Sequence, residues 1–450
     1  MKFIIIDLTL FFCFLIFIIF FLIKNRKKVS REGILLLYKT KCGIRLIKKF
    51  SKKNKKLLKV FSFISLFFGY VFLIASVALL LISLRLTIVA KYLPKTPPIL
   101  PVIPYATHIF KIDFLPPLYF TYWIIIILIV AAFHEFAHGI FSSFYKIKIK
   151  STGFGFLGPI IAAFVEPDEK EMQKKEIRKQ LAILCAGSFA NFFVAIIFIL
   201  LLQLFFLAFY TPIGFAGYSL YMEKVNVSNI NLTSLNNSNF PVKFEIGNKT
   251  YYLDKELWEI QKEIIEKNKT KEIFLYLETP AYKNNLSGAI IKIDEKKIRS
   301  AKDIDEVLKN KKPGDIVKIK TEEREYNIEL TENPKNSSRG FLGISIIKLP
   351  SYASLFSFSF YSFNPYIKIK PKANIFDFFK DLFYWIIIIN ISVAIFNMLP
   401  FLFLDGGRVT YLTLLAFLKD KKKAMLGFNI FNLLVIFIII LIFFFWFLKF

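Results

Sequence analysis

The sequence is poor in residue types that many functional classes need. Its 450 residues include three Cys, three His and 33 Asp or Glu, against 61 Lys or Arg. Cys13, Cys42 and Cys185 form no C-x-x-C pair, so we expect neither a disulfide framework nor a thiolate zinc site. The net charge of +28 lies in no recognisable nucleic-acid-binding fold, so no nucleic-acid partner is expected.

Apolar residues are abundant. Hydrophobic residues make up 55% of the chain, 55 of them are Phe, and the mean hydropathy is +0.52. Six apolar runs are long enough to cross a bilayer, at residues 3–23, 57–84, 118–138, 181–209, 376–399 and 425–448. The first lacks a basic start beyond Lys2 and a cleavage site of small residues, which favours a retained helix over a signal peptide. These runs predict a polytopic α-helical membrane protein with about six transmembrane helices.

Loop charge predicts the orientation of these helices in a cell membrane. Segments 24–59, 146–179 and 419–423 are rich in Lys and Arg, which favours the cytoplasmic side. Segments 85–117 and 210–375 then lie outside, as do both termini. Six crossings return the chain to its starting side, so the assignment is consistent.

Segment 210–375 is the part of the chain that resembles a soluble domain. A strand is expected at 290–293, a helix capped by Ser300 after it, and strands at 316–320 and 326–330. Residues 225–277 show no interpretable pattern. We therefore divide the chain into an N-terminal helix pair (1–117), a first core half (118–209), the outside region (210–375) and a second core half with the last helix (376–450).

The third apolar run ends in an H-E-x-x-H motif. His134 and His138 lie one helical turn apart on one face, so their ring nitrogens can converge on one ion. Glu135 lies about 100° round the helix and can reach a water held by that ion. Ionisable residues in a membrane span are unfavourable unless they are paired or bind metal, which favours a zinc site over chance.

Two histidines leave a catalytic zinc site one protein ligand short. Asp405, which precedes Gly406 and Gly407 after the fifth run, is the candidate, although an Asp in this position is also typical of a turn or a helix N-cap. The third histidine, His108, is expected to be a surface residue without a role. Other carboxylates downstream of the motif are the alternative ligands: Glu166, Glu169, Glu171 and Glu176.

Three separated motifs resemble those of the site-2 protease family of intramembrane zinc metalloproteases, peptidase family M50. They are H-E-F-A-H at 134–138, A-G-S-F-A-N at 186–191, and N-M-L-P at 397–400 followed by L-D-G at 404–406. The resemblance implies one zinc ion per chain held by His134, His138 and Asp405, with Glu135 as general base. It implies a metalloendopeptidase that cleaves membrane-anchored proteins within or beside their transmembrane segments.

Further positions follow from the same resemblance. Asn191 matches a family Asn near the active site, where its amide can donate to an oxyanion, the alternative being a hydrogen bond between packed helices. Asn397 and Pro400 match a segment that breaks the helix beside the site, where substrate binds. Gly153 and Gly155 lie in a Gly-rich stretch that can form an edge strand pairing an unwound substrate, or a hairpin without substrate contact.

Residues 279–347 resemble a PDZ domain, inserted as in many family members. Residues 340–343, Gly-Phe-Leu-Gly, look like a carboxylate-binding loop but follow the domain instead of preceding it. Two competing functions remain from the sequence: a membrane-anchored zinc protease for soluble or loop substrates, and a non-catalytic transporter or scaffold.

Overall fold

The computed structural model describes residues 2–33, 35–89, 97–112, 115–158, 160–230, 235, 239–266, 270–334, 336–347 and 366–448. It separates into two compact units, described here one at a time. The membrane unit comprises residues 1–202 and 378–450, and the insert unit residues 203–377. Part of the predicted outside segment, 348–365, lies outside the described residues.

Among the described residues, six helices are long and apolar enough to cross a membrane, which confirms the predicted number and the polytopic class. Several of these helices extend beyond the predicted apolar runs. The backbone groups of polar residues at a helix end can still form hydrogen bonds within the helix. The helices assigned mainly to the membrane unit are α1 (Lys2–Lys24), α2 (Ile44–Lys53), α3 (Lys55–Val89), α4 (Ala106–Ile109), α5 (Phe120–Phe144), α6 (Glu169–Gln173), α7 (Ile177–Phe209), α11 (Ile375–Phe396), α12 (Asp405–Leu418) and α13 (Lys421–Leu448).

The fifth apolar run was predicted to reach residue 399, but α11 ends at Phe396. Tight turns follow, in which Met398 N–H donates to Ile395 O and Leu399 N–H to Phe396 O. Pro400 then lacks the N–H that a continuing helix needs.

The sequence missed a four-stranded antiparallel sheet in the membrane unit. Its order is β1-β2-β3-β4, with strands β1 (Val29–Glu32), β2 (Leu35–Thr40), β3 (Ile149–Leu157) and β4 (Ile160–Pro167). Two of these strands come from the basic segment that the sequence presented as a loop. A core of residues from α2, α3, α5 and α7, including Ile47, Phe141 and Leu184, packs beside this region.

The prediction that residues 151–158 form an edge strand is wrong. Strand β3 is paired on both sides, with Phe154 opposite Tyr38 of β2 and Ala163 of β4. Gly153 is required by this pairing, since a Cβ there would lie 2.0 Å from the Tyr38 carbonyl oxygen, whereas a Cβ on Gly155 would lie 3.2 Å from the Leu37 side chain. The unpaired edge of this sheet beside α5 belongs to β4 instead.

The insert unit contains two α/β layers. One sheet runs β14-β13-β11-β5-β18, with β12 on β11, around a core that includes Phe215, Ile290 and Val317. This layer contains β5 (Tyr210–Phe215), β6 (Tyr218–Leu220), α9 (Pro280–Lys283), β11 (Ile290–Ile293), β12 (Lys296–Lys297), α10 (Ala301–Leu308), β13 (Ile316–Thr321), β14 (Glu325–Glu329), β15 (Thr331–Asn333), β16 (Asn336–Phe341), β17 (Ile344–Ile346) and β18 (Ile367–Pro371). Strands β15 and β16, and likewise β6 and β17, form two separate two-stranded sheets.

This sheet uses chain from outside the predicted 279–347 region, because β5 and β18 flank the insert in sequence and pair with each other. The elements expected at 290–293, 316–320 and 326–330 are present, and the Ser300 side chain caps α10. Similarity of this layer to a PDZ domain stays a prediction.

The Gly-Phe-Leu-Gly loop at 340–343 lies beside α10 although it follows that helix by more than thirty residues. Ala281 N–H donates to Leu342 O at 2.9 Å, and Gly343 has φ +88° and packs on Thr279. Loop, α10 and β17 line a cavity of about 200 Å³. The fold therefore brings this loop next to α10, although the loop follows the helix in the sequence.

The second layer forms from the segment in which the sequence showed no pattern. A sheet of order β7-β10-β9-β8 packs with one helix around Trp258, Leu253 and Ile273. Its elements are β7 (Met222–Asn226), β8 (Val242–Ile246), β9 (Lys249–Leu253), α8 (Lys255–Glu266) and β10 (Glu272–Leu277).

Candidate metal centre and catalytic site

Three polar side chains converge inside the membrane unit. His134 and His138 lie on one face of α5, and their Nε2 atoms are 3.1 Å apart. The Asp405 Oδ2 atom, from the first residue of α12, lies 3.2 Å from each of them. Among the described residues this is the one group of His, Cys, Asp and Glu that can hold a metal ion.

Asp405 does not cap its helix. Leu404 occupies the N-cap position of α12, and the Asp405 carboxylate points to the two imidazoles. Two glycines allow this approach. A Cβ on Gly406 would lie 2.2 Å from the Met398 backbone, and one on Gly407 would lie 2.2 Å from the Phe401 carbonyl oxygen. The glycines after Asp405 thus let α12 begin against the turn that follows α11.

Each histidine is oriented through its other ring nitrogen. His138 Nδ1 lies 2.7 Å from the Ile183 carbonyl oxygen in α7, so Nδ1 carries the proton and Nε2 presents a lone pair. His134 Nδ1 lies 3.2 Å from the Asn191 side-chain amide nitrogen, while Asn191 Oδ1 is buried without a partner. When His134 Nε2 binds a metal its Nδ1 carries the proton, and the amide rotated by 180° would present Oδ1 to accept from Nδ1–H.

This contact between α7 and α5 is the hydrogen bond between packed helices that the sequence left as the alternative for Asn191. Asn191 is fully buried, and its side-chain amide lies against the Nδ1 side of the His134 ring. Donation to an oxyanion would need its amide to face the cavity. Asn191 is absent from the cavity lining.

Gly187 makes room for the two imidazoles. A Cβ at this position of α7 would lie 2.4 Å from His138 Nε2 and 2.6 Å from His134 Nε2. No side chain other than hydrogen fits there without displacing the atoms that face Asp405. The second motif therefore supplies space at Gly187 and a side-chain amide at Asn191 that contacts His134.

The donor set fits zinc. Four-coordinate zinc takes nitrogen and oxygen ligands at about 2.0–2.2 Å, which places ligand atoms about 3.3 Å apart in a tetrahedron. The observed separations of 3.1 and 3.2 Å agree with that spacing. Two imidazoles and one carboxylate leave a fourth position for water, as catalytic zinc sites do.

Glu135 lies beside this group and is held by the sheet. Its Oε2 accepts a hydrogen bond of 2.9 Å from Val165 N–H of β4. Because antiparallel strands turn alternate backbone groups away from their partner, the groups of Ile161, Ala163 and Val165 face away from β3. Val165, which the sequence did not single out, thus couples the free edge of β4 to the carboxylate.

Asn397 and Pro400 occupy different environments. Asn397 lines the cavity, and its Nδ2 lies 3.5 Å from His134 Nε2. Its carbonyl oxygen accepts from Gly406 N–H at 2.8 Å. Pro400 is buried in the turn between α11 and α12 and does not line the cavity, so its place is structural.

Two cavities meet at Glu135. A cavity of about 280 Å³ contains His134, His138, Asp405, Asn397 and Arg408 in its wall. An apolar groove of about 570 Å³ lies between α1, α5 and the sheet. Glu135 and Val165 line both, so the groove leads to the polar centre.

The alternative ligands lie elsewhere. Glu166 binds Ser151 and Lys39, and this hydrogen bond and charge hold the pKa of its carboxyl below the usual range. Glu176 pairs with Lys179, Glu171 accepts from Lys148 N–H, and Glu169 lies 3.4 Å from Arg408. None of the four belongs to the metal-binding group. His108 likewise lies outside it.

The model of peptidase family M50 matches residues 122–442, which is more than half of the chain. The matched range contains H-E-x-x-H, the Gly187 and Asn191 motif, and Asp405. No curated protein matches the sequence.

Proposed function

The chain belongs to peptidase family M50, and from this premise we propose that it is a zinc-dependent endopeptidase that cleaves membrane-anchored proteins in or near their transmembrane segments. Membership makes it a membrane metalloendopeptidase. The observation that carries the finer proposal is the junction at Glu135 between the polar cavity and the apolar groove.

His134, His138 and Asp405 are the residues that would hold zinc, one ion per chain. Zinc bound there would supply a Lewis acid that lowers the pKa of a coordinated water to about 7. Ile183 and Asn191 keep the two imidazoles in the tautomer with a free Nε2 lone pair. Buried surroundings strengthen these contacts by excluding bulk water.

Glu135 acts as the general base in this proposal. Its carboxylate is next to His134 in sequence and lines the cavity that the metal-binding group shares. One oxygen accepts the Val165 N–H, so the other is available to take a proton from water and return it to the leaving amine.

Substrate would reach Glu135 along the apolar groove. Ile161, Ala163 and Val165 of β4 line it on one side, and Ile124, Leu128 and Ala131 of α5 on the other. An extended peptide in this groove can pair with the free edge of β4, which exposes the scissile carbonyl that a helix would conceal. We therefore assign the substrate-pairing role expected of β3 to β4.

The decisive test is Glu135→Gln. Gln keeps the size of the side chain but cannot accept the proton, so cleavage of a co-reconstituted single-span membrane protein should fall at least about hundredfold, with zinc content unchanged. Glu176→Gln is the matched control, because Glu176 is an exposed Glu outside the metal-binding group. This variant should cleave the substrate at the wild-type rate.

Two outcomes would refute parts of the proposal. Cleavage by Glu135→Gln within tenfold of the wild type would remove Glu135 as the base. Cleavage of soluble peptides in preference to every membrane-anchored substrate would support the competing soluble-substrate protease instead.

A further inference from the structure

Helix α2 carries an unbalanced positive charge. Residues 41–59 contain nine Lys or Arg and no Asp or Glu. Within the described part of the chain, no ion pair is formed by the α2 side chains Arg45, Lys48, Lys49, Lys52 and Lys53, all of them exposed. This charge therefore has no counter-charge in the described protein.

The α2 sequence divides into three sectors around the helix. At 100° per residue, Ile44, Ile47 and Ser51 lie within about 60° and face the unit's interior, where Ile47 and Ser51 are buried. The five basic residues occupy a sector about 140° wide. Between the two lie Leu46 and Phe50, which are 61% and 41% exposed.

Such a division matches a helix lying flat at a membrane surface. The exposed apolar pair lies between the other two sectors, centred about 110° from each, so that basic side chains border apolar ones as they do in interfacial helices. Continuity with the membrane supports this location, because α2 ends at Lys53 and only its C-cap residue, Asn54, precedes the spanning helix α3.

We propose that α2 binds the anionic headgroups of phospholipids, with Leu46 and Phe50 inserted among the acyl chains. The basic sector supplies the charge that lipid phosphates complement. Lipid binding would also stabilise the region around His138, because α2 packs against α5 there. A Cβ on Gly139, one residue after His138, would lie 2.8 Å from Ile47, and Gly43 and Ile47 line the apolar groove.

The test measures thermal unfolding of the full-length protein in a neutral detergent while lipid is titrated. Dioleoylphosphatidylglycerol should raise the unfolding midpoint, and neither dioleoylphosphatidylcholine nor inorganic phosphate should do so. In the variant K48Q/K49Q/K52Q/K53Q the apparent affinity for phosphatidylglycerol should fall at least about tenfold.

The matched control removes the same charge elsewhere. Lys292, Lys297, Lys302 and Lys309 are exposed in the insert unit, and K292Q/K297Q/K302Q/K309Q should keep the wild-type lipid response. An equal loss in both variants would overturn the proposal, since net charge alone would explain it. An equal midpoint shift with inorganic phosphate would overturn it too, because a free anion would then suffice.

Folding of the α2 variant has its own control. K48R/K49R/K52R/K53R retains the charge and should respond to phosphatidylglycerol like the wild type. If the Gln variant does not fold, native mass spectrometry of the wild type decides: preferential retention of phosphatidylglycerol over phosphatidylcholine supports the proposal, and equal retention refutes it. Neither measurement requires proteolysis, so the proposed enzymatic function can fail independently.

Discussion

Residues other than the candidate ligands determine the geometry of the metal-binding group. Gly187 leaves the space in which both imidazole Nε2 atoms lie, and Gly406 and Gly407 allow Asp405 to approach them. Asn191 and the Ile183 carbonyl then select the tautomers. Contacts of this kind commonly change metal affinity by about 10- to 100-fold.

Asp405→Asn separates the ligand role from a structural one. A neutral amide is a poor zinc ligand, so zinc binding should weaken and activity should fall at least about hundredfold, while thermal stability stays near wild type. Elemental analysis and a cleavage assay measure the two effects. The matched control is Asp420→Asn, because Asp420 accepts from Lys422 and Lys423 N–H at the start of α13, where Asn caps almost equally well. Full activity of the Asp405 variant would exclude it as a ligand.

Gly187→Ala should displace both imidazoles. The added Cβ would come within 2.4–2.6 Å of ring atoms of His134 and His138, so we expect zinc affinity to fall at least about tenfold. Competition with a chelator measures it. Gly427→Ala in α13 is the control, where the nearest atom would be 3.2 Å away on a Leu414 side chain. Unchanged zinc binding in the Gly187 variant would show that α5 and α7 can move apart to accommodate the added methyl group.

At the scale of elements, a buried carboxylate joins the first helix to the catalytic one. Asp7 of α1 has no exposed surface and accepts from Phe120 N–H and Thr121 N–H at the start of α5, at 2.8 and 2.9 Å. Tyr105 and the Thr121 hydroxyl also donate to it. The contact satisfies free N–H groups of α5 and places α1 along one wall of the apolar groove.

Asp7→Ala should destabilise the membrane unit by about 1–3 kcal/mol, because it leaves buried donors without an acceptor. A lowered thermal unfolding midpoint in detergent is the measurement. Asp7→Asn keeps one acceptor oxygen and should lose less. Thr9→Ala, which removes an exposed hydroxyl bonded within α1, should change little. Equal stability of the Ala variant and the wild type would mean that α1 docks without this contact.

For the whole molecule, the orientation in the membrane is the main open prediction. We expect the insert unit outside and the basic segments inside the cytoplasm. Thiol labelling can report which side of the membrane the basic segment occupies, because native Cys42 lies in this segment and is exposed. Ser51, in the same segment, is buried and is therefore unsuitable for replacement by Cys. An impermeant thiol reagent added to intact cells should therefore label Lys302→Cys and leave Cys42 unmodified.

Cell permeabilisation provides the internal control for orientation, since Cys42 should then react and the signal should vanish in Cys42→Ser. Cys13 lies in α1 and Cys185 is buried. Labelling of Cys42 in intact cells would reverse the topology.

Local sequence pattern was sufficient to predict many of the helices and strands and part of the candidate site. Six spanning helices follow from run length, and His134 and His138 from their spacing along one helix face, because both depend on residues close in the chain. The strands at 290–293 and 316–320 followed for the same reason. Residues 29–40 were misjudged as a loop, because their strands are stabilised by pairing with β3, more than a hundred residues away.

By itself the sequence determined the spans, the chemistry available at His134 and Glu135, and the family resemblance that identified Asp405. Tertiary structure decided which atoms meet. It placed Asp405 against both imidazoles across more than 260 residues, turned Asn191 toward His134, and enclosed β3 so that β4 has the free edge. These outcomes depend on packing between distant segments, and a linear pattern carries no information on which backbone will approach a glycine or which strand edge stays unpaired.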